Sequence, residues 1–266
     1  MIRKILIAHD LSRRSSVALE RAAQLAGQTG AVLDILHVVE DDLPAAVVDR
    51  RKVEARAVVT DDLSALPELA KIKVETVVIA GKDYTDILDW AEKSSADLIL
   101  LGVHREDALR SIVVGTTAER LIGFGSRPVL VVKKLPAGRY PRAVVAVDIS
   151  ASAQEAARFA LDLLPGSEIR LVHAVAMTGD GAQAKAVESL EKLRSELSAR
   201  GAAAPPQPII RHGSPIAVIR DAVRDAEADL LVAGAQRRAG LTRTLIGEIP
   251  EDLLARPPCD LLVVHA

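Results

Sequence analysis

The stretch Ala96-Asp97-Leu98-Ile99-Leu100-Leu101-Gly102 returns as Ala228-Asp229-Leu230-Leu231-Val232-Ala233-Gly234. The match continues without a gap through Arg105 and Arg237, Leu109 and Leu241, Gly115 and Gly247, Glu119 and Glu251, and Leu130-Val131-Val132 and Leu262-Val263-Val264. It gives 12 identities over the 38 positions from Ala96 to Lys133. A fixed offset that keeps two glycine spacings marks an internal duplication. Upstream, Asp10 matches Asp148 and His37 matches His173 at slightly larger offsets, so the second copy is shorter in its first half.

Within each copy, short apolar runs alternate with amphipathic stretches. In the first copy the strands are expected at Lys4–Ala8, Ala31–Val39, Lys73–Ala80, Leu98–Leu101 and Val129–Val132. Helices are expected over Ser15–Ala26 (stopped by Gly27), over Pro44–Leu66, from an Asp83 cap to Ser95, and from near Gly115 after a loop of about ten residues. In the second copy the strands are Ala143–Val147, Ile169–Val175, Pro208–Arg211, Leu230–Ala233 and Leu261–Val264. Its helices are Ala151–Leu164, Gln183–Ala199, one opened by Ser214-Pro215, and one from Gly247. Ser214 supplies a hydroxyl cap and Pro215 fits the first turn. Nearly all-apolar strands alternating with helices predict parallel sheets covered on both faces. The turn-rich Pro136–Pro141 places the junction near residue 138, giving domains 1–137 and 138–266.

Composition narrows the function. Of 266 residues 49% are hydrophobic but only 2% aromatic, so the core is aliphatic and there is no stacking platform for single-stranded bases. A net charge of −2 gives no field for nucleic acid or anionic lipid. One cysteine, Cys259, excludes a disulfide within the chain and suits a reducing compartment. No apolar run is long enough for a signal peptide or a membrane span, so a cytoplasmic protein without membrane or nucleic-acid partners is expected.

In such sheets, ligands bind beyond the carboxyl ends of the strands. Asp10 follows the first strand and can accept from an adenine amino group or a ribose hydroxyl; as an Asp, it equally suits a turn or helix cap. Gly102 follows the fourth strand, and Gly115-Thr116 opens the last helix. Glycine there allows close backbone approach to a phosphate, and a helix start offers free N–H groups; packing and a tight turn are the alternative. Arg105 and Arg237 recur at one position, as a phosphate guanidinium or a surface ion pair. His37 and His173 read as strand histidines, since no ligand-spaced Cys or carboxylate lies near either. Cys259 reads as a small buried side chain, and the charges over Glu188–Arg200 as a solvated helix face. No Walker loop and no nucleophile with base and orienter is present, so neither a catalytic nor a metal site is expected.

On these residues the chain resembles the universal stress protein family over essentially its whole length, as two tandem domains. The family motif is Gly, two residues, Gly, nine residues, Gly, then Ser or Thr. Gly102, Gly115 and Thr116 keep it, with Arg105 at the middle glycine; Gly234 and Gly247 keep the spacing, but Arg237 and Glu248 depart from it. The resemblance implies two Rossmann-like domains of the adenine nucleotide alpha hydrolase-like kind, each a five-stranded parallel sheet. It implies ATP or AMP in the first domain, against Asp10, Val39, Gly102, Arg105, Gly115, Thr116 and Thr117, with the second site degenerate. It also implies a stress-response regulator rather than an enzyme, with slow nucleotide hydrolysis as the weakest alternative. The two domains are expected to pair through their apolar last strands; a homodimer and unidentified protein partners are further expectations. The motif departures point to the alternative, a nucleotide-free scaffold or small-ligand carrier.

Overall fold

Apolar runs of four to nine residues form the strands of the computed structural model, which describes residues 2–103, 117–148, 150–175, 180–199, 205–235 and 248–266. The chain divides into two compact units, Met1–Arg139 and Tyr140–Ala266.

The first unit runs β1 (Lys4–Ala8), α1 (Arg13–Thr29), β2 (Val32–Glu40), α2 (Ala45–Ser64), a 3-10 turn (Pro67–Lys71), β3 (Val74–Gly81), α3 (Asp83–Lys93), β4 (Leu98–Gly102), α4 (Thr117–Phe124) and β5 (Val129–Val132). Its strand order is β3-β2-β1-β4-β5, with every pairing parallel. Ile5, Leu6, Ile7, Leu98, Ile99, Leu100, Val129 and Leu130 are fully buried, which explains runs with no polar alternation. Right-handed crossovers put α1 and α2 on one face and α3 and α4 on the other. Accordingly α1 and α2 both touch the 3-10 turn, while α3 packs on α4. Where α1 meets the sheet it presents mostly alanines (Ala18, Ala22, Ala23, Ala26), so helix and sheet approach closely without aromatic filler. The connector is held by α1, where Arg21 donates to the Gly138 carbonyl at 2.7 Å.

The second unit repeats the plan with β6 (Arg142–Ala146), α5 (Ala151–Leu163), β7 (Glu168–Val175), α6 (Asp180–Ala199), β8 (Ile209–His212), α7 (Pro215–Asp225), β9 (Leu230–Ala235), α8 (Glu248–Ala255) and β10 (Asp260–His265). Its parallel order, β8-β7-β6-β9-β10, is that of the first unit strand for strand. Ser214 caps α7 with Pro215 in the first turn, as expected. On α6, Leu190, Leu193 and Leu197 are buried while Glu188, Glu191 and Lys192 face solvent. Cys259 is buried just before β10, as expected of a small side chain.

Several helix boundaries differ from the expectations, among them the end of α1 and the start of α3. Helix α1 passes through Gly27 and stops at Gly30, whose φ of 72° supplies the left-handed turn and returns its N–H to the Ala26 carbonyl. Asp83 is the first residue of α3 and not its cap; Lys82 holds the cap position without a side-chain hydrogen bond. The loop before α4, with Arg105, Gly115 and Thr116, lies outside the described residues, as do Arg237 and Gly247.

Candidate functional site

Strand order reverses between β1 and β4, which pair in register at Ile7 and Leu100. The crevice past this reversal is where open α/β sheets take ligands. Asp10 lies on one side of it, two residues beyond β1, and Gly102 ends β4 on the other.

Asp10 is clasped by the first turn of α1. Its Oδ1 accepts the Ser12 N–H at 2.9 Å and the Ser15 hydroxyl, while the Ser15 Oγ accepts the Asp10 N–H at 3.0 Å. Ser12 is the N-cap, its hydroxyl oxygen accepting from the Ser15 N–H at 3.4 Å. Between them Leu11 takes a φ of 64°, in the left-handed region. Partial burial works against ionisation of Asp10, but the hydrogen bonds from Ser12 and Ser15, with Arg14 nearby, outweigh it and hold the carboxyl below its ordinary value.

The second unit builds a plainer version. Asp148 accepts the Ser150 N–H at 2.8 Å, and Ser150 caps α5 by accepting from the Ala153 N–H at 3.2 Å. Ala153 stands where Ser15 would be, so the reciprocal clasp is missing. The paired histidines have one job in both units. The Nδ1 of His37 bonds the His9 carbonyl at 2.7 Å, and that of His173 bonds the Val147 carbonyl, also at 2.7 Å. Each ties β2 or β7 to the residue just before the strand-one aspartate.

Gly102 has a packing reason to be glycine. A Cβ there would lie 2.6 Å from the Arg14 carbonyl oxygen and 2.7 Å from its carbon. Gly234 meets the matching residue of its own unit, with Ser152 oxygen at 2.6 Å and Ala153 nitrogen at 2.6 Å. The first turn of α1 or α5 sits against the end of β4 or β9, and the aspartate turn is thereby pressed toward the sheet's switch point.

Of the other expected site residues, Val39 is 3% exposed and packs with Val48, Ala55 and Val78; Leu11, Leu43 and Ala80 lie partly buried against that cluster. Thr117 is the first residue of α4 and half-buried, with Glu119 in the same first turn. The structure thus brings Asp10, Leu11 and the Val39 cluster together, while Arg105, Gly115 and Thr116 fall outside the described residues. Sequence reasoning missed Ser12 and Ser15 as partners of Asp10, although Asp-x-Ser recurs as Asp10–Ser12 and Asp148–Ser150 at one offset; His9, a lone histidine at the cleft end of the strand in that reading, lies directly before the clasped turn. Among the described residues no cluster could hold a metal ion, and no helix is long and apolar enough to cross a membrane.

Comparison with known proteins agrees with this architecture. The model of the universal stress protein family matches twice, over residues 1–133 and 139–265. Universal stress protein E of Salmonella typhi is 23% identical, over 99% of this chain and 94% of that protein. A universal stress protein of Methanocaldococcus jannaschii is 30% identical over 50% of this chain and 84% of its own length. The crystal structure of a universal stress protein from Archaeoglobus fulgidus superposes with a TM-score of 0.80 at 21% identity, covering 98% of each chain. With a duplicated Rossmann-like fold and a match to the family's model in each half, this chain belongs to the universal stress protein family and carries two of its domains in tandem.

Proposed function

We propose that the first unit is an adenine-nucleotide-responsive regulatory module of a stress response, binding ATP or AMP at the switch point, and that the second unit is a structural copy. The observation that carries this is the clasped Asp10 beside an apolar wall. The Ser12 N–H and the Ser15 hydroxyl both meet the carboxylate on Oδ1 and fix its orientation. Held ionised, the carboxylate suits an amino or ribose hydroxyl donor. Leu11, Leu43, Val39 and Ala80 supply the apolar flank a base requires. In this reading the phosphates meet Gly102, Arg105, Gly115, Thr116 and Thr117 at the start of α4. Glu248 replaces the hydroxyl in the second unit. A carboxylate at about 4 Å from a phosphate costs on the order of 1–4 kcal/mol, which favours the first unit. A reducing, cytoplasmic setting fits the single cysteine.

One observation favours a second reading, a nucleotide-free scaffold or small-ligand carrier. Gly102 and Gly234 are both accounted for by contact with the helix that follows strand one, with no phosphate needed. Calorimetric titration of the full chain with ATP and AMP, beside a Gly115→Val variant, separates the two. Saturable binding that the variant loses supports the nucleotide module; no binding at millimolar nucleotide supports the scaffold. Release of inorganic phosphate above a buffer blank is the sign that would bring hydrolysis back.

A further inference from the structure

His9 precedes Asp10 and its side chain is wholly buried. Its Nδ1 accepts the Leu11 N–H at 3.2 Å. A ring nitrogen that accepts carries no proton, so the neutral ring holds its proton on Nε2. Nε2 faces Oδ2 of Asp62, on α2, at 3.3 Å, near enough for attraction though not aimed as a hydrogen bond. The same carboxylate oxygen accepts the Ser16 hydroxyl of α1 at 2.8 Å. The His9 carbonyl is fixed separately by His37 from β2. His9 therefore joins the Asp10 turn to α1, α2 and β2, and its ring supports the left-handed Leu11 that gives the turn its shape. The second unit has Val147 at this position, and its aspartate turn has no such ring.

We propose that His9 is a proton-operated latch on the Asp10 turn. With the ring neutral, Nδ1 holds the Leu11 amide and keeps Asp10 in its clasp. A proton added to Nδ1 sets two donors against each other, breaks the bond to Leu11, and shifts the ring's grip to Asp62. The groups facing the ring pull in both directions. Burial is the strongest influence and disfavours the charged ring; Asp62 from α2 and Asp10 from the turn favour it, and His37 from β2 disfavours it. The net result lies below the ordinary histidine value of 6.5. The folded state thus prefers the neutral ring: the hold is complete above 6.5 and is lost as pH falls through the depressed value.

The test is long-range nitrogen–proton NMR on the isotope-labelled full chain from about pH 8 to about pH 5. The expected result is an Nε2–H tautomer at the upper end and a midpoint below 6.5, with Leu11 amide and Asp10 carboxyl resonances moving at that same midpoint. His9→Val, which copies the second unit, removes that midpoint from Leu11 and Asp10. Asp62→Asn lowers the midpoint and keeps the coupling, which gives a second readout if His9→Val folds poorly. An Nδ1–H tautomer at neutral pH, or Leu11 and Asp10 resonances that stay still while His9 titrates, overturns the latch. A further arm rests on the nucleotide reading: ATP affinity should fall about tenfold more across the midpoint in the native chain than in His9→Val, the equivalent of roughly one hydrogen bond. Equal pH dependence in the two proteins overturns the latch as a control of binding. Absence of ATP binding at every pH refutes the nucleotide reading instead, and the latch is then decided by the resonances alone.

Discussion

A Cβ on Gly102 would stand 2.6 Å from the carbonyl oxygen of Arg14, and one on Gly234 would stand 2.6 Å from that of Ser152. Backbone of a helix's first turn cannot swing aside as a flexible side chain can. Gly102→Ala and Gly234→Ala are each expected to destabilise the chain by about 1–3 kcal/mol, the usual cost of overpacking. Because the two sites share no partner, the double variant should come close to the sum. Urea unfolding of the nucleotide-free protein measures this, and a Gly102→Ala protein as stable as the native one would refute the packing account.

Ser15 and Ser12 hold Asp10 in different ways, and their removal should separate them. Ser15→Ala deletes a hydroxyl that both donates to and accepts from Asp10, so the carboxyl is expected to titrate closer to its ordinary value of 3.8. A carboxyl held below that value stabilises the fold above 3.8 and loses its contribution as pH falls through the folded value. The deficit of Ser15→Ala, about 1 kcal/mol at neutral pH, should therefore shrink in acid. Ser12→Ala removes the cap of α1 as well and should cost about 1 kcal/mol over a wider pH range. Carboxyl NMR titration beside unfolding at several pH values checks both.

His37 and His173 face carbonyl oxygens through Nδ1, so each must carry its proton there, the opposite tautomer to His9. His37→Leu and His173→Leu each leave a strand-end carbonyl without its partner and should cost about 1–2 kcal/mol. Tautomer-sensitive nitrogen shifts test the first statement and unfolding curves the second. An Nε2–H tautomer at either histidine would mean that its ring does not tie the strands together.

The strands were readable because parallel strands buried on both faces leave uninterrupted apolar runs, as in Ile5-Leu6-Ile7 and Leu98–Leu101. The duplication was readable because Gly102 and Gly234 must both stay small against a helix. The reason for that smallness was not, since Arg14 is distant in sequence and its contact exists only once α1 is packed. Ser12 and Ser15 escaped notice because short polar residues after a strand resemble any turn; only their geometry around Asp10 distinguishes them. Val39, assigned to the site by resemblance, also has a packing role with Val48, Ala55 and Val78, and no strand pattern could separate those two uses.

The two glycines near the end of α1 should respond with opposite signs. Gly27 lies inside the helix, and a Cβ there meets only Ile72 at 3.7 Å, an ordinary contact. Alanine at that position loses less backbone freedom on folding, so Gly27→Ala should stabilise the chain by about 0.5–1 kcal/mol. Gly30 has open space around it but a φ of 72°, and its N–H closes the helix on Ala26. A side chain there is penalised by conformation and not by crowding, so Gly30→Ala should destabilise by about 1 kcal/mol. Thermal or urea unfolding of the two variants decides the matter. If Gly27→Ala is the damaging one, the helix ends where the spacing of its apolar residues suggested, and the left-handed cap at Gly30 is not what stops it.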